Sequence, residues 1–204
     1  MRESSPETLT GILLLAHGGP DSLEDIEPFL RNIRGGRGFT PKLLEEITDR
    51  YRQIGGRSPL LEISRRQAAA LEQELGGPQA GFRVYLGMRN WRPSIGQAME
   101  EIRRDGVKRL VALCLAPQNS RLSVGLYFER VQEAEKALGL AIPVSFIESY
   151  HDEPLLIEDV RGANGRQIWR QLGHRCGAVV SFQGRKLLSL LGEQFEGCLG
   201  EGCA

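Results

Sequence analysis

This sequence is short of cysteine, of net charge and of long apolar runs, and each shortage removes a class of protein. Four cysteines in 204 residues, irregularly spaced, are too few for a disulfide framework. Lys and Arg number 26, as do Asp and Glu, so the formal charge is zero. Bulk attraction to a polyanion is missing, and nucleic acid is not expected as a partner. No apolar run approaches the roughly 20 residues that cross a bilayer. No transmembrane segment is therefore expected, which leaves peripheral membrane contact open. The first eight residues, from Met1 to Thr8, are polar and lack a signal-peptide core. A cytoplasmic location is the expectation. What remains, 41% apolar and 25% charged residues, is the balance of an ordinary globular protein. The length suits one large or two small domains.

The first informative stretch is Gly11-Ile-Leu-Leu-Leu-Ala-His17-Gly-Gly-Pro20. Five apolar residues in a row suit a strand covered on both faces, as in a parallel sheet. Gly18 and Gly19 allow a sharp turn and a close approach, and Pro20 ends the strand. Ser22 and Asp25 read as a capping box for a helix over roughly 22–34, with a stripe of Leu23, Ile26, Leu30 and Ile33. Thr40 and Pro41 open a second helix whose expected buried stripe is Leu44, Ile47, Tyr51 and Ile54. A tight turn, Gly55 to Leu60, leads into a third helix over roughly 61–76. Strands are expected at Phe82–Gly87, Val107–Leu115 and Ile142–Ile147. Helices follow at Ile95–Ile102, at about 121–138 and from Leu155.

Alternation of strands and helices predicts an α/β fold: a doubly wound parallel four-stranded sheet with helices on both faces, over residues 8–159. The polar loops then gather at the carboxyl edge of the sheet, where ligands sit. His17 ends the first strand and is the first candidate for ligand contact. From about 160 the composition shifts. Residues 161–204 hold nine of the 25 glycines, three of the four cysteines, and six Lys/Arg against three acids. Only Ala178–Phe182 and Lys186–Phe195 read as a short strand and a short helix. The expectation for 160–204 is an irregular, divergent tail, disordered or out of frame.

Several blocks carry a resemblance. They are Leu13-Leu-Leu-Ala-His-Gly-Gly-Pro20, Ile26-Glu-Pro-Phe-Leu-Arg-Asn-Ile33 and Arg50-Tyr51-x-x-Ile-Gly-Gly-x-Ser-Pro-Leu60. Further on come Gly87-Met-Arg-x-Trp-x-Pro93, Leu115-Ala-Pro-Gln-x-Ser120 and Glu148-Ser-Tyr-His-Asp-Glu-Pro154. Their content, order and spacing resemble the ferrochelatases, which insert ferrous iron into a porphyrin in haem biosynthesis. The resemblance covers about 8–159 and implies one chelatase-like, Rossmann-like half of such an enzyme. The implied substrates are Fe2+ and either coproporphyrin III or protoporphyrin IX. No tightly bound cofactor is implied.

That chemistry needs apolar walls for a planar macrocycle and Arg or hydroxyl partners for its propionates. It also needs metal ligands and a base for two pyrrole protons. By resemblance to the coproporphyrin-using branch, His17 faces the macrocycle centre and is a candidate metal contact, at a position where that branch generally has Tyr. Arg34, Arg50, Tyr51, Ser58 and Tyr127 match positions lining the porphyrin site. The loops Arg89–Trp91 and Gln118–Ser123 border it. Bland readings stand beside these. Arg34 and Arg37 also suit a solvated helix end. Tyr51 and Tyr127 also suit the core, Ser58 a helix cap, and Trp91 packing.

The family's metal-handling His, in an Ala-His-Ser-[Leu/Ile]-Pro motif, and its partner Glu belong to a second half that this sequence does not show. Gly173-His174-Arg175 does not match that motif, so no catalytic residue is assigned. His151, Asp152 and Glu153 look like a metal cluster, but the resemblance implies a structural loop there, and Cys176, Cys198 and Cys203 match no iron–sulfur pattern. Two alternatives to a complete chelatase follow: a porphyrin-binding fragment without catalysis, and a homodimeric half-size chelatase using His17. An isolated half should leave apolar surface exposed where the other would pack.

Overall fold

A computed structural model describes residues 8–120, 123–154 and 157. Strand β1, Thr10–Ala16, is buried at every position, as its continuous apolar run requires. It pairs in parallel with β2, Phe82–Met88, on one side and with β3, Arg109–Cys114, on the other. Strand β4, Val144–Ile147, pairs in parallel with β3, so the order is β2-β1-β3-β4. The register places Leu13 opposite both Tyr85 and Ala112.

Successive side chains of β1 point to opposite faces and define two cores. Leu13 and Leu15 join one core with Ile95, Ala98, Met99 and Ile102 of helix α4, Ile95–Arg104. Val124, Tyr127 and Val131 of helix α5, Val124–Leu138, complete it. Ile12 and Leu14 join the other, with Leu71 of helix α3, Leu60–Glu74, and with Leu75, Val111, Leu113 and Tyr150. The connection from β1 to β2 steps one way across the sheet, and the connections to β3 and β4 step the other. Right-handed crossovers therefore put α3 on one face and α4 and α5 on the opposite one. The α/β, doubly wound architecture is as expected from the strand pattern. Its switch point lies between β1 and β3, which places a ligand crevice at their carboxyl ends.

Several local expectations are corrected. Helix α1 runs Ile26–Ile33, not from residue 22. Asp25 itself occupies the cap position, and its side chain makes no cap hydrogen bond. Its carboxylate instead accepts from Ser22 Oγ at 3.1 Å and pairs with Arg92 at 3.5 Å. The buried face of α1 is Ile26, Phe29 and Leu30, while Ile33 is 39% exposed. Helix α2, Pro41–Gln53, is capped by Thr40 as expected: the Leu43 amide donates to Thr40 Oγ1 at 3.2 Å. Its stripe is not buried, however. Leu44, Ile47 and Tyr51 are half-buried and Ile54 is 59% exposed, because α2 packs beside α1 and not on the sheet.

Strands β3 and β4 are shorter than expected at both or one end, α3 starts and stops earlier, and α5 starts at Val124. A one-turn 3-10 helix at Pro78–Ala80 bridges α3 and β2. The expectations for 158–204, including the short strand, the short helix and the tail cysteines, lie outside the described residues. Among the described residues, no helix is long and apolar enough to cross a membrane.

Candidate functional site

The exit of β1 is the point on which four other segments converge. Gly18 takes φ +87°, a conformation that other L residues rarely adopt. A side chain there would also meet Trp91 Cβ at 2.8 Å and the Trp91 amide at 2.9 Å. The exit of β2 thus lies directly against Gly18. Backbone bonds hold it there: the Arg89 amide donates to Ala16 O at 2.9 Å, and the Asn90 amide donates to His17 O at 3.0 Å. Asn90 Nδ2 adds a second bond to His17 O at 3.2 Å.

From the other side, the turn between α2 and α3 docks on the same segment. The Ser58 amide donates to Pro20 O at 2.8 Å. A Cβ on Gly19 would stand 2.6 Å from Ser58 Cβ and 4.0 Å from the Tyr51 hydroxyl. Gly19 is therefore needed for close approach, with Ser58 and Tyr51 as the neighbours. Ser58 Oγ accepts from the Leu60 amide at 3.2 Å at the start of α3, so its turn-forming and site-lining positions coincide.

His17 is exposed above this junction, with Nδ1 3.1 Å from Gly18 O. Its ring meets the edge of Phe29, with centroids 6.1 Å apart and planes at 70°. Phe29 in turn lies at 88° to Trp91, centroids 5.8 Å apart. Trp91 is buried, and its Nε1 donates to Asp21 at 3.1 Å. The guanidinium of Arg92 stacks over Trp91 at 5.1 Å. A chain of edge-to-face rings, ending in a pinned indole, supports the imidazole from behind.

Tyr127 stands on the opposite flank, in the first turn of α5. It is 5% exposed, with the Arg89 guanidinium 5.0 Å over its ring. Arg89 also reaches Ser123 O at 3.4 Å. Burial, and then the neighbouring Cys114, push the Tyr127 hydroxyl up to about 12, with Arg89 opposing. Burial alone raises Tyr51 as well. Both phenols are therefore neutral donors near pH 7. Cys114 is buried below, its thiol pushed up mainly by desolvation.

The two arginines proposed from sequence sit further out. Arg34 terminates α1 half-buried, and its Nε is enclosed without a hydrogen-bond partner. Arg50 is exposed in the last turn of α2. His17, Tyr51 and Ser58 are thus drawn together around Gly18 to Pro20. Tyr127 adjoins them through Arg89, and Arg34 and Arg50 close the ends of the two helices alongside. Among the described residues, no group of three or more His, Cys, Asp or Glu is placed to hold a metal ion.

The sequence matches the family model described as Ferrochelatase over residues 9–182. The chain belongs to the ferrochelatase family. A ferrochelatase of Acidobacterium capsulatum is 45% identical over 150 residues, which is 74% of this chain and 43% of that protein. A ferrochelatase of Deinococcus radiodurans is 40% identical over 144 residues, 71% of this chain and 46% of its own length. A protein named coproporphyrin III ferrochelatase, from Halalkalibacterium halodurans, is 41% identical over 150 residues, 72% of this chain and 48% of its own length. The chain spans less than half the length of these relatives. The family match runs on to 182, past the point near 159 where the recognisable motifs end.

In this ferrochelatase-family fold, sequence reading missed Asp21, Phe29 and Asn90 as supports of the β1 exit. Phe29 had a signal, being three residues after Ile26 on the helical face. Asn90 lies in the Arg89–Trp91 loop that the resemblance set beside the cleft, but neither its bond to His17 nor that of Asp21 to Trp91 had a signal, because the partners lie 73 and 70 positions away. Also missed were Arg57, Arg65 and Arg66, which line a cavity of about 400 Å3 beside Ser58.

Proposed function

We propose that this chain forms one wall of a porphyrin-metallating site, with the macrocycle lying across the β1 exit and ferrous iron as the other substrate. The observation that carries this reading is the convergence of His17, Tyr51 and Ser58 on Gly18, Gly19 and Pro20, at the switch point of the sheet. The glycines let Trp91 and the α2–α3 turn close tightly on the β1 exit, and His17 is the exposed side chain above it. Tyr51 and Ser58 offer neutral hydroxyls, and Arg34 and Arg50 offer guanidinium groups for propionates. His17 faces the macrocycle centre, where an imidazole donor suits iron. Tyr127 supports the flank through Arg89. Family membership and the names of the curated relatives support the substrate pair.

The test is a Soret-band titration of this chain with an iron-free and an iron porphyrin. Both are expected to bind. His17→Ala is expected to weaken the iron porphyrin about tenfold or more and the iron-free one less, since only the first gains a metal–imidazole bond. Equal effects on both would remove the metal-facing role. No Soret shift with either porphyrin would refute the reading altogether. Metal insertion by the chain alone separates a wall from a complete enzyme. Turnover within the usual enzymatic range of about 1–1,000 per second would assign the chemistry to this half. Sedimentation would then decide between a monomer and a homodimer.

A further inference from the structure

The imidazole of His17 is held by its own turn. Its Nδ1 lies 3.1 Å from Gly18 O. A carbonyl oxygen only accepts, so this hydrogen bond requires the ring proton on Nδ1. In the neutral ring a bare lone pair is then left on Nε2. Nε2 makes no hydrogen bond among the described residues. Histidines that ligate metals commonly donate their other ring N–H to a carbonyl in this way, which fixes the tautomer and the ring plane. The Phe29 edge against the ring adds a second restraint.

The bond to Gly18 O closes only while the peptide units after His17 keep their orientation. Gly18 contributes its left-handed backbone, φ +87°. Asn90 contributes a grip on the carbonyl just before it. Its backbone amide donates to His17 O at 3.0 Å and its Nδ2 donates to the same oxygen at 3.2 Å. A carbonyl has two lone pairs, so one residue fills both acceptor positions. The backbone amides of Arg89 and Asn90 already dock the β2 exit on β1. The side-chain bond is an addition that acts on His17. Asn90 is itself anchored, since Asn32 Nδ2 of α1 donates to Asn90 O at 3.4 Å and the next residue is the buried, Asp21-bonded Trp91.

We propose that Asn90 is a positioning residue for His17: by clamping the His17 carbonyl it keeps the ring protonated on Nδ1 and Nε2 presented to the iron of a bound porphyrin. The inference rests on the proposed macrocycle-facing role of His17. Asn90 touches neither the ring nor the ligand, and it acts through the turn that the ring bonds to.

The test has two arms, both on this 204-residue chain. In the first, histidine nitrogen-15 NMR of the porphyrin-free chain at about pH 8.5, where an imidazole is neutral, reads which ring nitrogen carries the proton. The chain has three histidines, and the His17 signal is the one missing from His17→Ala. Wild type is expected to show the proton on Nδ1. Asn90→Leu, similar in size but without the donor, is expected to shift His17 toward a mixture of tautomers, and Asn90→Gln to restore much of the wild-type signal. In the second arm, deuteroporphyrin IX and its iron complex are titrated. Asn90→Leu is expected to weaken the iron complex about three- to tenfold, with loss of the imidazole-ligated iron spectrum, and the iron-free ring less than about twofold. Melting midpoints are the control for folding. A wild-type proton on Nε2, or a His17 signal unchanged in Asn90→Leu, overturns the proposal while the porphyrin site stands. Equal weakening of both porphyrins overturns it too, because a merely structural role would act on both. If wild type binds neither porphyrin, the porphyrin reading falls, and a tautomer that depends on Asn90 still sustains its hold on the ring.

Discussion

Two glycines define how the site is built, each for a different reason. Gly18 is required by its backbone angle and by contact with Trp91, whereas Gly19 is required by Ser58 alone. Gly18→Ala combines a left-handed alanine with overpacking against a buried indole and backbone. The expected loss is roughly 2–5 kcal/mol, read as a fall in the urea midpoint at constant m. Gly19→Ala has no positive φ to strain. Its methyl group must push the α2–α3 turn away, so it should weaken porphyrin binding more than it lowers the melting midpoint. A Gly19→Ala protein that binds porphyrin like wild type would show that Ser58 and Tyr51 need not lie against the β1 exit.

Among the helices, caps and faces separate those that stand on local sequence from those that depend on the sheet. Helix α4 has a full capping box: the Gln97 amide donates to Ser94 Oγ at 3.2 Å, and the Ser94 amide donates to Gln97 Oε1 at 2.8 Å. Ser94→Ala should cost about 1 kcal/mol in chemical denaturation. The loss should leave porphyrin binding unchanged, because both bonds join Ser94 only to Gln97 and neither reaches His17, Tyr51 or Ser58. Helix α1 lacks such a cap, and the acid that sequence placed in a box is drawn outward by Arg92. Helix α2 is amphipathic without being buried. Its half-covered face, with Ile54 open to solvent, lies alongside the cleft. Ile33, Ile54 and Leu126 are the exposed large apolar side chains among the described residues, on α1, after α2 and on α5.

Across the molecule, two cores back to back on one parallel sheet explain how a zero-charge, cysteine-poor chain holds together. The first core also carries phenols that folding keeps neutral. Tyr127 titrates at about 12 in the folded state, and burial raises Tyr85 still further, helped by its hydrogen bond to Asp105 at 2.9 Å. An unfolded chain loses these protons near pH 10. Between that value and the folded one, the native state binds more protons than the unfolded state. Stability is therefore complete below about pH 10 and falls as pH rises toward 12. Denaturant midpoints measured across this interval should drop, and Tyr127→Phe should flatten the drop. A rise from about 10 to about 12 corresponds to about 3 kcal/mol for that side chain.

Strand number, parallel pairing and the position of His17 at the end of β1 were legible without coordinates. A run such as Ile12 to Leu15 can be buried on both faces only inside a covered sheet, and glycines after a strand mark a turn. The motif blocks likewise placed the chain in its family, because their content survives in linear order. Periodicity could not say which stripe reaches the sheet, so α1 turned Phe29 inward and left Ile33 out, and α2 stayed half open. Nor could it pair Asp21 with Trp91, Asn90 with His17 or Ser58 with Pro20. Those partners are brought together by the crossover from β1 to β2, which folds three helices back onto the first strand exit. The arginine cavity has the same origin: Arg57, Arg65 and Arg66 come beside Asp21 and Ser58 only once α3 is placed next to the β1 exit.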